Sequence, residues 1–165
     1  MTRNTSSPMK ITFGLHLNGW RSAGRVVRFD EAVCGVHGFL RTLELALGLP
    51  TPEAMRAKRV IGYRAALARA AGMQRFYEES FVKDGLATSV ELLRWRDELI
   101  MAGWDGASGK DDRERLKDMV AVEALVASDV KCGPGDRIRT ILAEMVDRPL
   151  VELEVFALDS PDHLP

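Results

Sequence analysis

Two short segments near opposite ends of the chain have the composition of β-strands, and the long interval between them reads as helix. Lys10–Leu17 is a compact apolar run, and Leu150–Leu158, "LVELEVFAL", alternates Val151, Leu153 and Val155 with Glu152 and Glu154. That period of two is the signature of a strand with one covered and one wetter face. The interval is long enough for a crossover, and its helices need a sheet or one another to cover their apolar faces. The two strands are therefore expected side by side in one parallel or mixed sheet, which puts the chain in the α/β class, mostly helical, with a partial sheet and a large helical insertion.

Helical segments are expected at about 38–47, 53–71, 73–84, 87–103, 110–127 and 136–147, separated by "GLPTP", "GWDGASG" and "KCGPG", each a stop or turn signal. In the last segment Ile138, Ile141, Leu142 and Met145 fall on one face, with Asp136 placed as an N-cap. In "SVELLRWRDELIMAGWDG" the stripe is Leu92, Trp95, Leu99 and Ala102, Ser89 can cap an early turn, and Gly103 can end the helix. Arg94, Arg96, Asp97 and Glu98 are then expected between the stripe's edges and solvent. Phe76, Phe81 and Trp95 recur at helical spacing and should pack helix on helix, whereas Trp20 and Trp104 sit in glycine-rich turns and are expected to be exposed.

With 165 residues, 46% of them apolar and 28% charged, the chain suits one globular domain, 10–165, after a flexible leader, 1–9. Its 23 basic and 24 acidic side chains give a net charge of −1, so any affinity for nucleic acid must come from a local patch. "RERLK" and the basic side of 56–69 (Arg56, Lys58, Arg59, Arg64, Arg69) read as solvated faces. No apolar run approaches the length of a membrane span, no signal-peptide pattern is present, and the only cysteines are Cys34 and Cys132. These features predict a cytoplasmic protein with reduced thiols and no membrane partner.

The segment "GLHLNGWRS", Gly14–Ser22, follows the first strand and is nearly a phosphate-binding loop. A working loop needs G-x-x-x-x-G-K-[ST]: backbone N–H groups cradle the phosphates, the Lys reaches the β/γ-phosphates and the hydroxyl holds Mg²⁺. Gly14 and Gly19 have the glycine spacing, but Trp20 stands in place of the Lys, and Arg21 and Ser22 come one position late. The loop therefore reads as degenerate, with a structural pair of glycines or an altered anion site as the other readings.

Other sharp signals are weighed against plain ones. Cys34-x-x-His37 has zinc-like spacing, but a zinc site takes four ligands and only the distant Cys132, His16 or His163 could complete it. No metal is expected, and the segment reads as a small loop with a buried thiol. His16 could meet a phosphate or be a hydrogen-bonded structural residue. No nucleophile has an identifiable base near it, so no catalytic residue is expected.

The combination "KITFGLHLNGWRS", "RFYEESFVKDGLATSVELLRWRDELIMAGWDG" and "GPGDRIRTILAEM" resembles the N-terminal region of large bacterial PD-(D/E)XK nuclease family proteins, themselves similar to the B subunit of the AddAB helicase-nuclease. The resemblance runs from about Lys10 to the end and is most specific in "LLRWRDEL…AGWDG". It implies a helicase-like first domain of P-loop type, often without a working nucleotide site, serving recombinational DNA repair as scaffold and DNA-contact surface, with a partner subunit and a nuclease domain downstream. The nuclease carboxylates and Lys are not found here, and Pro161-Asp162 reads as a turn. The chain is thus expected to be a fragment without activity or cofactor of its own, from a protein that is a nuclease in full. Weak contact with single-stranded DNA or duplex ends is expected through Trp20, Arg21, Arg25, Arg28 and Trp104, together with the basic side chains of the 56–69 helix. Two other readings stay open: an active nucleotide-binding domain using Arg21 and Ser22, and a helical protein-interaction module presenting its tryptophans.

Overall fold

The computed structural model describes residues 8–17, 30–50, 55–72, 74–109, 113–150 and 153–158. Their backbone divides into two compact units, Met1–Thr51 with Thr140–Pro165, and Pro52–Arg139.

The first unit holds a three-stranded parallel sheet. Its strands are β1 (Met9–Phe13), β2 (Glu31–Cys34) and β3 (Leu153–Ala157), in the order β2-β1-β3. Ile11 pairs with Ala32 on one side and Val155 on the other, and Lys10 with Glu31 and Glu154. The expected adjacency of the two terminal strands is therefore present, and it is parallel. Ile11 is fully buried, as suits the centre of such a sheet.

Three details differ from expectation. β1 stops at Phe13, because the Gly14 amide turns to the Cys34 carbonyl at 3.2 Å and Leu15–Leu17 forms a 3-10 turn closed by Leu17 N–H on the Gly14 carbonyl. β2 occupies the place read as a loop around Cys34; at four residues it is too short to show a period. β3 runs over fewer residues than Leu150–Leu158 and is an edge strand, so Val155 is 47% exposed and Phe156 55%, instead of Val155 lying on a covered face. Val151 and Glu152 lie outside the described residues. Met9, assigned to the leader, opens β1.

After β2 the chain enters α1 (Val36–Leu47), whose buried Leu40, Leu43, Glu44 and Leu47 form one stripe. Gly48 ends it at φ 69, where a Cβ would be strained, with Leu49 N–H reaching back to the Glu44 carbonyl.

The second unit is helical: α2 (Arg56–Ala70), α3 (Glu78–Lys83), α4 (Gly85–Met101), α5 (Glu114–Glu123) and the opening of α6 (Pro134–Asp147). α3 is shorter than the expected 73–84 because Gln74 lies at φ 54, outside the helical region. α4 begins earlier than expected: the Asp84 carboxylate caps it, accepting from the Leu86 and Ala87 amides, and Ser89 is buried one turn in, donating to the Gly85 carbonyl. α5 is likewise shorter than 110–127, ending at Glu123. The core is one cluster that includes Val60, Tyr63, Leu67, Leu92, Leu93, Met119, Val122 and Val130, with Phe76, Phe81 and Trp95 packed against it as expected.

Two tyrosines give this core a pH dependence. Burial raises the phenols of Tyr63 and Tyr77 above their ordinary value of 10.0, with Glu123 adding to the shift at Tyr63. A raised folded value means the stability is fully present below the unfolded value and is lost as the pH climbs through it, since only the unfolded chain releases the proton there. Stability measured by urea denaturation should be flat near neutrality and fall above about pH 10, by up to about 1.4 kcal/mol per pH unit for each such phenol. Tyr63→Phe, which removes only a weak hydroxyl contact to Met119 Sδ at 3.8 Å, should cost less than about 1 kcal/mol at pH 7 and flatten the alkaline fall; an unchanged fall would contradict the assignment.

Candidate functional site

In open α/β sheets ligands bind beyond the carboxyl ends of the strands. Here those ends carry glycines: Gly14 after β1 and Gly35 after β2. Gly14 is a poor phosphate cradle, because its amide is bound to Cys34 and the Leu17 amide is bound to Gly14. Among the described residues, β2, Gly35 and α1 form a strand–glycine–helix unit. α1 starts at Gly35 with no side-chain cap, and Gly38 in its first turn packs so tightly that a Cβ would come within 2.7 Å of the Cys34 Cβ. Beside it, Phe39 meets Phe13 with ring centroids 4.9 Å apart. The sequence signal for this unit was "AVCGVHGFL", a β-branched residue before Gly-x-x-Gly and an apolar stripe. It lacks both the glycine spacing and the Lys of a phosphate loop.

Of the residues named for the degenerate loop, Gly14 is placed as described; Gly19, Trp20, Arg21, Ser22, Arg25 and Arg28 lie outside the described residues, as do Pro161 and Asp162. Cys34 ends β2, and burial pushes its thiol upward, which disfavours the thiolate needed by a nucleophile or metal ligand. Among the described residues no group of three or more His, Cys, Asp or Glu is arranged to hold a metal ion.

Trp104 corrects its expectation. It is half-buried against the helical core rather than exposed, its indole N–H donates to the Ala107 carbonyl at 2.9 Å, and Arg139 bonds its carbonyl. The turn around Gly103 (φ 95) brings the ring against the helical core. Arg59 also departs from the solvated face assigned to it: it is buried, and it binds the Asp97 carboxylate through both terminal nitrogens, at 2.8 and 2.6 Å, and the Val130 carbonyl through Nε at 2.9 Å. Arg56, Lys58 and Arg64 are exposed.

The largest electrostatic feature was invisible to the helical periodicity. Arg96, expected at the edge of a stripe or in solvent, has 0% exposure. Its Nε and Nη2 donate to Glu123 at 2.7 and 3.0 Å, Nη2 and Nη1 to Asp136 at 2.9 and 2.9 Å, and Nη1 to Asp97 at 3.3 Å. A guanidinium has five N–H donors, and each finds an acceptor here. Burial works against the Arg96 charge, but the hydrogen bonds to Asp136 and Glu123 outweigh it and hold the group protonated well above its ordinary range. Asp136 is not the N-cap expected of it. It lies inside the first turn of α6 and reaches back to accept from the Gly133 amide at 3.1 Å, as a capping box does. Each carboxylate in this cluster is engaged by a guanidinium, so none is free to act as a general base.

A second feature lies on the outside of the same unit: an open groove of ≈ 440 Å³ whose apolar lining is Phe76, Tyr77, Ala87, Leu92 and Trp95. The rings of Phe76 and Trp95 lie parallel within 7°, centroids 6.2 Å apart, and the Arg115 guanidinium sits 5.7 Å from the Phe76 centroid. Trp95 is fixed by its indole N–H donating to Glu91 at 2.7 Å.

If Arg96 organises the helical unit, Arg96→Met should destabilise the chain by about 3–5 kcal/mol, because it leaves buried carboxylates without a counter-charge. Adding Glu123→Gln and Asp136→Asn should recover at least about 2 kcal/mol of that loss. Urea denaturation checks both; a single substitution costing under about 1 kcal/mol would show that the cluster does not hold the unit together.

Compared with family models, with curated proteins and with solved structures, the chain returns no match in any of the three.

Proposed function

We propose that the chain is a non-catalytic, helicase-like module of a DNA-repair protein of the nuclease and helicase type, with a degenerate phosphate loop, acting as scaffold and weak DNA contact. One observation carries the reading: among the described residues the carboxyl ends of β1 and β2 are taken up by packing, Phe13 on Phe39 and Cys34 against Gly38, and the Gly14 amide is already bound, where a nucleotide-binding α/β sheet keeps an open, amide-lined rim. The sequence resemblance supplies the biological setting. In it the full protein is a nuclease with a helicase-nuclease partner subunit, working in the cytoplasm; the free thiols of Cys34 and Cys132 fit that compartment. No helix among the described residues is long and apolar enough to cross a membrane.

The DNA contact is smaller than the sequence alone suggested, since Trp104 and Arg59 are occupied within the protein. It rests on Trp20, Arg21, Arg25 and Arg28 and, separately, on the exposed Arg56, Lys58 and Arg64. Two or three phosphate contacts give a log–log salt slope of roughly −1.5 to −2 for single strands. Fluorescence anisotropy with labelled single-stranded DNA at several salt concentrations should show this slope, weakened by Arg21→Ala and by Trp20→Ala. No binding at low salt, or binding indifferent to both changes, would favour a protein-interaction module instead.

Calorimetry provides the matching test of the loop. ATP with Mg²⁺ should bind more weakly than millimolar, under about 4 kcal/mol, and no hydrolysis should be measurable. Micromolar, Mg²⁺-dependent binding would replace this reading with an active nucleotide-binding domain using Arg21 and Ser22.

A further inference from the structure

The groove beside α3 and α4 combines an aromatic platform with polar groups that the protein itself leaves unused. Its volume, ≈ 440 Å³, lies within the usual range for small-molecule sites, which are mostly apolar with a few placed polar groups. The acids around it are committed. Glu91 accepts from Arg94 through both oxygens and from the Trp95 indole, and these contacts, Arg94's first, hold its carboxyl below the usual range. Glu79 is paired with Lys83, and Glu78 accepts from the Gly72 amide. Arg115 is different: among the described residues its contact is the face of Phe76, with no carboxylate partner. The hydroxyls of Ser80 and Thr88, also in the lining, have no protein partner among the described residues.

The uncommitted set is thus one exposed cation, over the Phe76 ring, and two hydroxyl donors beside the parallel rings of Phe76 and Trp95. A cationic ligand would meet Arg115 and find both Glu91 oxygens already engaged by Arg94, which also binds Glu98. A neutral aromatic ligand would use the rings and leave the guanidinium unpaired. We propose that the groove binds a small organic anion carrying an aromatic ring, an aryl carboxylate or aryl phosphate, with the ring against Trp95 and Phe76 and the anionic group on Arg115, Ser80 and Thr88. Arg115 supplies the charge selectivity, because a guanidinium offers paired donors to carboxylate or phosphate oxygens. The inference is independent of the DNA-repair reading, since it draws on none of the loop residues.

The test is a titration of the full chain, labelled with ¹⁵N in its tryptophan indoles, followed by NMR at the Trp95 indole N–H. The probes are 2-naphthoate, 2-naphthylmethanol and 2-naphthylmethylammonium, which share a ring system and differ in charge, with inorganic phosphate and an eight-residue oligothymidylate as further arms. 2-Naphthoate should shift the Trp95 signal with a Kd of about 1 mM or tighter, about tenfold below the alcohol, with the ammonium weakest. Arg115→Gln, an exposed substitution outside the core, should bring the naphthoate affinity down to that of the alcohol, and Thr88→Val should weaken naphthoate about two- to fivefold. The proposal is overturned if the ammonium binds as well as the carboxylate, or if Arg115→Gln leaves naphthoate unaffected. It is overturned also if inorganic phosphate competes fully at millimolar concentration, which would mean an adventitious ion only. An oligothymidylate that binds the groove more tightly than naphthoate would replace a small ligand with a nucleic acid strand.

Discussion

The Arg96 guanidinium is the constraint on which the helical unit depends. A charge of this kind is costly to remove from water, by several kcal/mol even after relaxation, and its burial is sustained only when every donor is met. Here the donors reach Asp97 on α4 itself, Glu123 at the end of α5 and Asp136 in the first turn of α6. Asp97 then holds Arg59 on α2, and Arg59 holds the Val130 carbonyl between α5 and α6. Lys131 adds a half-exposed contact to Glu123 at 3.4 Å. Apolar packing brings these helices together without directing them; the cluster fixes how they meet.

The glycines of "CGPG" follow from that cluster. A Cβ on Gly133 would come within 2.5 Å of Arg59 Nη2 and 2.8 Å of Asp97 Oδ1, and one on Gly135 within 2.8 Å of Ile100 Cγ2 and 3.1 Å of the Met101 backbone nitrogen. Read as punctuation, these glycines end one helix and start another. In the fold they let the start of α6 approach α4 closely enough for Asp136 to reach Arg96. Among the described residues the two units differ: one packs Phe13 on Phe39 at the carboxyl end of β1, and the other leaves a groove open beside Trp95.

Those particulars show how much of the molecule was legible in its sequence. The pairing of the terminal strands was readable, because strand composition and the length of the interval constrain it. So were the existence and type of the longer helices, α1, α2, α4 and α6, from their length and their stop signals, although Leu142, read onto the apolar face of α6, is 58% exposed. β2 was not, since four residues carry too little pattern, and β3's exposure was not, because its place at the sheet edge depends on sheet order. Arg96 defeated the reading for a physical reason: periodicity sorts side chains by polarity, and a buried charge is placed by partners 27 and 40 residues away. The loop that opens at Gly14 stands apart from this comparison, because Gly19 and the residues that follow it lie outside the described residues. Trp104 was misjudged since a glycine-rich turn can fold a ring back onto the core as readily as expose it.

Native-state hydrogen exchange on the full chain tests the central claim most directly, because amide protection reports which segments open together. The Gly133 amide, held by Asp136, and the Arg137 amide, held by the Gly133 carbonyl, report the opening of α6; the Leu93 and Val122 amides report α4 and α5. If the Arg96 cluster locks these helices into one cooperative body, the four should exchange with opening free energies equal within about 1 kcal/mol. A first turn of α6 that opens several kcal/mol more easily than α4 and α5 would contradict the account.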